Sequence, residues 1–257
     1  MSSNDSTSKT LIVAFALCIV CSVIVSAAAV MLKPAQEINK TLDRKRNILA
    51  AAGMMDDSLS VDEQFAQITT RVVDLRSGKF TEEVDAQEYD QRKAAKEPAS
   101  SEALSAQDDL ANIARREDFA LVYLVEDEQG EVSKIILPVR GYGLWSTLYG
   151  FIALESDANT VAGLGFYEHA ETPGLGGEID NPRWKAMWPG KKVYRDGDVA
   201  IGLIKGAVDT SSADAAWQID GLAGATLTAR GVTNLMHFWL GENGFAPFLK
   251  NLKSGEA

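Results

Sequence analysis

The residues best suited to chemistry form a short loop at positions 220–228 (DGLAGATLT), directly before an apolar pattern with helical spacing. Gly224 and Ala225 are small enough for a ligand to approach the backbone, and Thr226 places a hydroxyl at the expected start of the helix. The first N–H groups of a helix have no intrahelical partner, and its dipole favours negative charge there, so the loop could hold a phosphate. Spacing alone favours the simpler interpretation, in which Thr226 only caps the helix.

Two further segments could contribute to such a site. Residues 141–146 (GYGLWS) present Trp145 on a glycine-flanked approach, and residues 169–176 (HAETPGLG) contain a Pro-Gly pair. That pair predicts a tight turn, which would leave Thr172 and Leu175 facing one pocket. Taken singly, each segment also has an ordinary interpretation: Trp145 in the core, and the Pro-Gly pair as a plain turn.

Composition excludes several classes of function. The chain has 257 residues and a net charge of -11, which argues against nucleic-acid binding. Its two histidines, His169 and His237, are too few for a Ser-His-Asp hydrolase or a His-rich zinc site. We interpret His169 as a hydrogen-bonded loop residue and His237 as a packing residue, and we predict no metal site. The only cysteines, Cys18 and Cys21, lie in the apolar N-terminal run and favour packing over a redox or metal pair.

The N-terminal region predicts a retained membrane anchor. Residues 11–32 are uncharged and, at about 1.5 Å per residue, span a hydrocarbon core of roughly 30 Å. A cleaved signal peptide is the alternative, but the run exceeds the usual apolar core of such peptides. A helical stalk follows over residues 35–52 and stops at Gly53. The positive charges after the span outnumber those before it, so the positive-inside rule alone places the large domain in the cytoplasm. Those charges are Lys33, Lys40, Arg44, Lys45 and Arg46, against Lys9 and the amino terminus.

The remaining pattern is typical of the α+β class. Strands are predicted at residues 68–75, 119–125, 132–139, 144–155, 161–168 and 199–204. Helices are predicted at residues 60–65, 211–217, 226–240 and 245–252. Residues 80–114 are charged and suggest a surface insertion of helices. The expected divisions are a tail and transmembrane helix (1–33), a stalk with insertion (34–115) and a main domain (116–257).

The three candidate segments together are similar to the motifs of a known family. GYGLWS, ETPGLG and DGLAGAT resemble, in order and separation, the FMN-binding domain of the NqrC subunits of Na⁺-translocating NADH:quinone reductases. The last of them resembles the flavinylation motif Asp-x-x-(Ser/Thr)-Gly-Ala-Thr, with Ala223 replacing the usual hydroxyl residue. Three alternatives stay open: the related RnfG subunit of an Rnf-type ion-translocating electron-transport complex, a stand-alone membrane-anchored flavoprotein reductase, and a cofactor-free scaffold.

The resemblance implies covalent FMN, joined through its phosphate to Thr226 by a flavin transferase. It further implies a one-electron relay in a complex that oxidises NADH, reduces ubiquinone and exports Na⁺. Electrons would come from an iron–sulfur centre held by membrane subunits and pass to a second covalent flavin, on the NqrB subunit. The chain itself would have no catalytic residue and no complete active site.

The resemblance also implies the location and the binding residues. The domain would lie in the periplasm, on a single-pass anchor in the inner membrane, and we prefer this to the orientation that the charges predict. The expected FMN-binding residues are Trp145, Glu171, Thr172, Leu175, Gly176, Gly224, Ala225, Thr226, Leu227 and Thr228.

Overall fold

A computed structural model describes residues 6–257 and divides the chain into two compact units, the first ending at Asp43 and the second running from Arg44 to Ala257. Helix α1 (Thr7–Ala51) contains the apolar run, with a mean hydropathy of 2.8 over its most apolar window, none of it buried. By length and composition this helix could cross a membrane. Gly53 ends it with a left-handed backbone, φ +67°. The domain divisions expected at residues 33 and 115 remain predictions.

The second unit is built on one antiparallel sheet. Its strand order is β2-β1-β5-β6-β7-β8, and every neighbouring pair is antiparallel. The strands are β1 (Ile68–Asp74), β2 (Lys79–Thr81), β3 (Ser101–Ala103), β4 (Arg115–Glu117), β5 (Phe119–Glu126), β6 (Val132–Tyr142), β7 (Thr147–Glu155), β8 (Val161–Glu168), β9 (Tyr194–Arg195), β10 (Asp198–Val199), β11 (Gly202–Leu203) and β12 (Gln218–Ile219). The other helices are α2 (Val61–Phe65), α3 (Gln91–Ala94), α4 (Pro182–Lys185), α5 (Thr226–Trp239) and α6 (Ala246–Ser254), with 3-10 turns at Gly176–Asp180 and Ala215–Trp217. The main sheet is wholly antiparallel, and the two longest helices of the second unit, α5 and α6, follow all of its strands, which confirms the α+β prediction.

Apolar side chains alternate between the two faces of the sheet, as the period of a strand requires. On one face Val122 and Leu137 belong to a large core with Leu235 and Trp239 of α5. The other face packs Ile136 and Phe151 against the C-terminal end of α1, where Ile48 and Leu49 are fully buried. Helix α5 therefore rests on β6, whose end leads directly into the GYGLWS segment.

Several predicted elements coincide with the structure. The strands at residues 68–75, 119–125, 132–139 and 161–168 form, as do the helices at 226–240 and 245–252. A capping box starts α2: the Ser60 hydroxyl accepts from the Glu63 N–H, and the Glu63 carboxylate accepts from the Ser60 N–H. The strand expected from residue 144 begins later, at Thr147, because residues 143–146 form the hairpin loop between β6 and β7.

Three predictions of regular structure were wrong. In place of the insertion of helices expected at residues 80–114, the structure has one short helix, α3, and the strand β3. Side chains there bond the backbone in place of a helix: the Asp109 carboxylate accepts from the N–H groups of Ile113 and Ala114. The helix at 211–217 shortens to a 3-10 turn, since Asp209 accepts from the backbone and hydroxyl of Ser211. The strand at 199–204 divides into β10 and β11, which pair with different partners.

We predict that Gly163→Ala destabilises the second unit by about 1–3 kcal/mol, the usual cost of overpacking. An added Cβ on Gly163 would overlap the Ala51 carbonyl oxygen, at the end of α1. Gly165, two residues along the same strand, is the matched control because nothing lies within 4 Å of its added Cβ. Thermal unfolding of the purified chain in detergent should show a lower Tm for Gly163→Ala and none of that loss for Gly165→Ala. Equal melting of both variants would contradict the close packing of α1 on β8.

Candidate cofactor site

Three loops meet at the N-terminal end of α5. The first is the β6–β7 hairpin, closed by a hydrogen bond from the Gly143 N–H to the Ser146 carbonyl at 2.8 Å. The second follows β8, and its Ala170 N–H donates to the Ser146 hydroxyl at 2.7 Å. The third, residues 220–225, leads into α5, and Gly224 has a left-handed backbone, φ +71°. All three segments singled out in the sequence therefore converge on one place.

Thr226 is the first residue of α5 and does not cap it. Ala225 occupies the cap position, with no side-chain cap hydrogen bond. The interpretation of Thr226 as an ordinary cap was therefore wrong. Its side chain is exposed, and the first helical bond runs from the Ala229 N–H to the Ala225 carbonyl at 3.0 Å. The N–H groups of residues 226–228 precede that bond, so they have no acceptor inside the helix.

Thr228 has the opposite environment. It is fully buried, and its hydroxyl donates to Oε2 of Glu171 at 2.6 Å. The two threonines of one helical turn thus differ in availability. Thr226 presents its hydroxyl to solvent, while the Thr228 hydroxyl is buried and hydrogen-bonded to Glu171.

Glu171 joins the hairpin to the helix. Its Oε1 accepts from the backbone N–H of Leu144 at 3.0 Å and of Trp145 at 2.9 Å, while Oε2 accepts from Thr228. The residue is only 5% exposed. Burial alone would raise the pKa of this carboxyl, but the bonds from Thr228, Trp145 and Leu144 outweigh burial and lower it. Glu171 is therefore a buried carboxylate that three donors keep ionised.

Two glycines make room for this carboxylate. A Cβ on Gly143 would lie 2.6 Å from Oε1 of Glu171. A Cβ on Gly176 would lie 2.6 Å from both Oε2 of Glu171 and Oγ1 of Thr228. Any larger residue at either position would displace the carboxylate, which explains why glycine serves there without a positive φ.

Three large apolar side chains of the converging loops and the helix start are exposed. Trp145 is 64% exposed, Leu227 52% and Leu175 43%. The interpretation of Trp145 as a core residue was therefore wrong. Leu175 is held by the turn at residues 172–175, in which its N–H donates to the Thr172 carbonyl at 3.1 Å. Its Cδ2 lies 3.0 Å from the position that a Cβ on Gly224 would take, so it borders the loop that precedes Thr226.

Two residues at the site were not predicted from the sequence: Tyr142 of the hairpin and Gly231, the glycine that lets α5 approach it. Tyr142 is 41% exposed, and the aromatic residue inside GYGLWS was its available signal. Gly231 of α5 lies against it, since a Cβ there would come within 2.5 Å of the Tyr142 carbonyl oxygen. No sequence signal separates Gly231 from an ordinary helical glycine.

The two histidines have hydrogen-bonding roles. His169 accepts the Glu171 N–H at Nδ1 (3.2 Å), which leaves Nε2 to donate to Asp180 at 2.7 Å. His237 donates through Nε2 to the Ile201 carbonyl at 3.0 Å. Across residues 6–257 no group of three or more His, Cys, Asp or Glu side chains could hold a metal ion.

Comparison with known proteins identifies the family. Residues 143–241 match the FMN-binding domain family. The NqrC subunit of the Na⁺-translocating NADH-quinone reductase of Pseudomonas aeruginosa is 57% identical over 262 residues, covering all of both chains. Its counterpart in Vibrio anguillarum is 48% identical, covering 99% of this chain and 98% of its own. The chain belongs to the NqrC family of Na⁺-translocating NADH-quinone reductase subunits. The crystal structure of Shewanella oneidensis NqrC agrees, with a TM-score of 0.75 at 36% identity, over 82% of this chain and 96% of that one.

Membership confirms the family resemblance that the three motifs carried. The chain is an FMN-binding electron-relay subunit of a multisubunit oxidoreductase, and its long apolar helix suits a membrane-anchored subunit. The alternatives of an RnfG subunit and of a stand-alone reductase are not favoured, because full-length identity lies with the NqrC family.

We predict that Thr228→Val destabilises the chain by about 1–3 kcal/mol at pH 7, because it leaves Oε2 of Glu171 buried without a donor. The loss should shrink as the pH falls. A carboxyl whose folded pKa is lowered adds stability above its unfolded pKa and loses it as the pH drops through the folded pKa. Denaturant unfolding of both proteins at successive pH values from 7 down to the acid limit of the fold checks this, with Thr228→Ser as the control that keeps the hydroxyl. A difference that stays constant with pH would contradict the charged state of Glu171.

Proposed function

We propose that this chain carries FMN as a phosphoester on Thr226 and uses it to relay electrons within a Na⁺-translocating NADH:ubiquinone reductase. The observation that carries the proposal is the contrast within the first turn of α5. Thr226 is exposed at the helix start, while Thr228 is fully buried and bonded to Glu171. Only the first of these hydroxyls is accessible for modification.

The start of α5 fits a phosphate. The N–H groups of residues 226–228 have no intrahelical acceptor, and α5 is 14 residues long, so its dipole favours an anion at this end. Gly224 is exposed and leaves the backbone open on the approach to Thr226, whereas Ala225 is 4% exposed and packs in the core. The missing hydroxyl at Ala223, where the motif usually has Ser or Thr, leaves the helix N–H groups as the main donors.

The exposed apolar side chains fit a flavin ring. Trp145 offers an aromatic face, while Leu175 and Leu227 offer aliphatic surface; all three are far more exposed than residues of a finished core. We propose that Trp145 and Leu175 flank the ring and that Thr172 and Leu227 border it. Gly176 contributes indirectly, because its lack of a side chain makes room for the Glu171 carboxylate.

The division of labour follows from these assignments. When bound, FMN supplies the isoalloxazine that carries electrons, and the protein holds and orients it. A covalent link to Thr226 prevents dissociation and fixes the distance from the ring to neighbouring subunits. We propose that those neighbours are the flavin-bearing NqrB subunit and membrane subunits holding an iron–sulfur centre, and that a flavin transferase performs the attachment.

We further propose that the domain lies in the periplasm, anchored in the inner membrane by α1. The family resemblance supports this orientation. The opposing charge rule is strongest for short loops, whereas long domains translocate largely regardless of flanking charge. The segment after the span is a whole domain, so the charges between Lys33 and Arg46 are a weak constraint.

Thr226→Ala should abolish the FMN adduct, and Thr228→Ala should retain it, because only Thr226 offers an accessible hydroxyl. Intact mass of the purified chain detects the adduct as FMN less one water, and peptide mapping locates it. Thr226→Ser should keep some adduct if a hydroxyl is the requirement. An adduct mapped to Thr228 would refute the assignment.

Trp145→Ala should keep the adduct but shift the flavin absorption spectrum and midpoint potential, because one stacking face is removed. Such a face is worth about 0.5–1.5 kcal/mol beyond its buried area. Leu227→Ala tests the neighbouring aliphatic surface in the same way. A Trp145→Ala protein with unchanged spectrum and potential would count against stacking.

Alkaline phosphatase fused after Ala257 should be active, because that reporter folds only outside the cytoplasm. Activity of a cytoplasmic reporter at the same position, with an inactive phosphatase fusion, would show that the positive-inside interpretation was right. Immunoblotting of both fusions controls for expression.

A further inference from the structure

The backbone N–H groups of Leu144 and Trp145 converge on one point, where they meet Oε1 of Glu171 at 3.0 and 2.9 Å. Successive N–H groups in a turn form a concave site for an anion. The chain fills this site with its own carboxylate. An incoming phosphate therefore finds the hairpin donors occupied, whereas the first N–H groups of α5 have no acceptor within the helix.

The carboxylate is held on all sides. Gly143 lies against Oε1 and Gly176 lies against Oε2, since a Cβ added to either glycine would be 2.6 Å from that oxygen. The backbone of Glu171 is fixed by its own N–H, which donates to His169, and the neighbouring Ala170 N–H donates to Ser146. Glu171 is therefore a rigid link between the hairpin and the first turn of α5, where Thr228 donates to its other oxygen.

Trp145 needs such a link because little else orients it. Its side chain is 64% exposed, so packing does not fix the indole, and its backbone N–H is bonded to Glu171. The hydroxyl of Thr226 lies two residues before Thr228 on the same helical turn. One carboxylate thus joins the residue proposed to stack on the ring to the helix proposed to carry the phosphate.

We propose that Glu171 is a positioning residue that tunes the flavin through Trp145, without contacting FMN itself. The inference rests on the proposed function for its flavin readouts and refines the expectation that Glu171 binds the cofactor directly. Its consequence is that the midpoint potential of the flavin depends on a buried carboxylate that bonds the hairpin backbone.

The first test needs no flavin. In the Thr226→Ala chain, which lacks the proposed attachment point, Glu171→Gln replaces the charged acceptor with a neutral amide oxygen and weakens both hairpin bonds. It should therefore speed amide hydrogen exchange of Leu144 and Trp145 by about tenfold. Glu178→Gln is the matched control, because Glu178 lies in the adjoining 3-10 turn and its carboxylate accepts from the Asn181 side chain, away from the hairpin. Exchange that is unchanged by Glu171→Gln, or raised equally by Glu178→Gln, would overturn the proposal.

The second test uses the full chain after flavinylation. Glu171→Gln should retain the adduct and shift the spectrum and midpoint potential, with no further shift when Trp145→Ala is already present. Non-additivity of this kind is the signature of two residues acting through one contact. Additive shifts, or a shift only in the Trp145→Ala background, would overturn the proposal.

A third variant keeps the test informative if Glu171→Gln fails to fold. Thr228→Val removes the helix bond and leaves both hairpin bonds. It should therefore shift the potential, and it should speed exchange at Leu144 and Trp145 no more than its lower global stability speeds exchange in the core strands. A larger increase at Leu144 and Trp145 would contradict the separate roles of the two oxygens. Absence of any adduct on wild-type Thr226 would refute the proposed function alone, since the exchange experiment does not depend on FMN.

Discussion

The site depends on one buried carboxylate. Glu171 accepts three hydrogen bonds from two elements that are far apart in the sequence, the β6–β7 hairpin and helix α5. An unpartnered charge in that position would be costly, so the hairpin and the helix must approach until all three donors reach it. Gly143, Gly176 and Gly231 are the positions where that approach leaves no room for a side chain.

The same bonds determine which hydroxyl remains available. Because Glu171 engages Thr228, the buried side of the first helical turn is saturated, and the exposed side retains the Thr226 hydroxyl and N–H groups without an acceptor in the helix. One packing arrangement therefore has two results. The Thr228 hydroxyl is hydrogen-bonded inside the protein, and the first N–H groups of α5 have no acceptor within the helix.

The sequence predicted the meeting of the three loops at the start of α5 better than it predicted the structure of the segments that connect the main elements. Long periodic segments such as α5, β5 and β8 were predictable, since their apolar spacing reflects core faces. Residues 80–114 were not, because charged stretches with helical composition bonded their own backbones through Asp109 and similar side chains. The segments that carry Thr226, Trp145 and Leu175 were predicted to lie together, and the structure brings them together. Gly231 and the internal role of Glu171 depend on contacts between segments that no local pattern encodes.

The exposure of the site also gives a physical reason for the covalent attachment that we propose. Trp145, Leu175 and Leu227 are each 43–64% exposed, whereas ligand sites that rely on noncovalent binding usually bury most of the ligand. The proposed phosphoester on Thr226 would remove the need for that burial. With that link the ring could stay open on one side to the proposed neighbouring electron carrier, while the rigid link through Glu171 would fix the side that faces the protein. A relay needs a ring that is both open to its neighbours and fixed in position. A deep pocket would reduce that access, and the affinity it would add is not needed if the proposed covalent bond holds the cofactor.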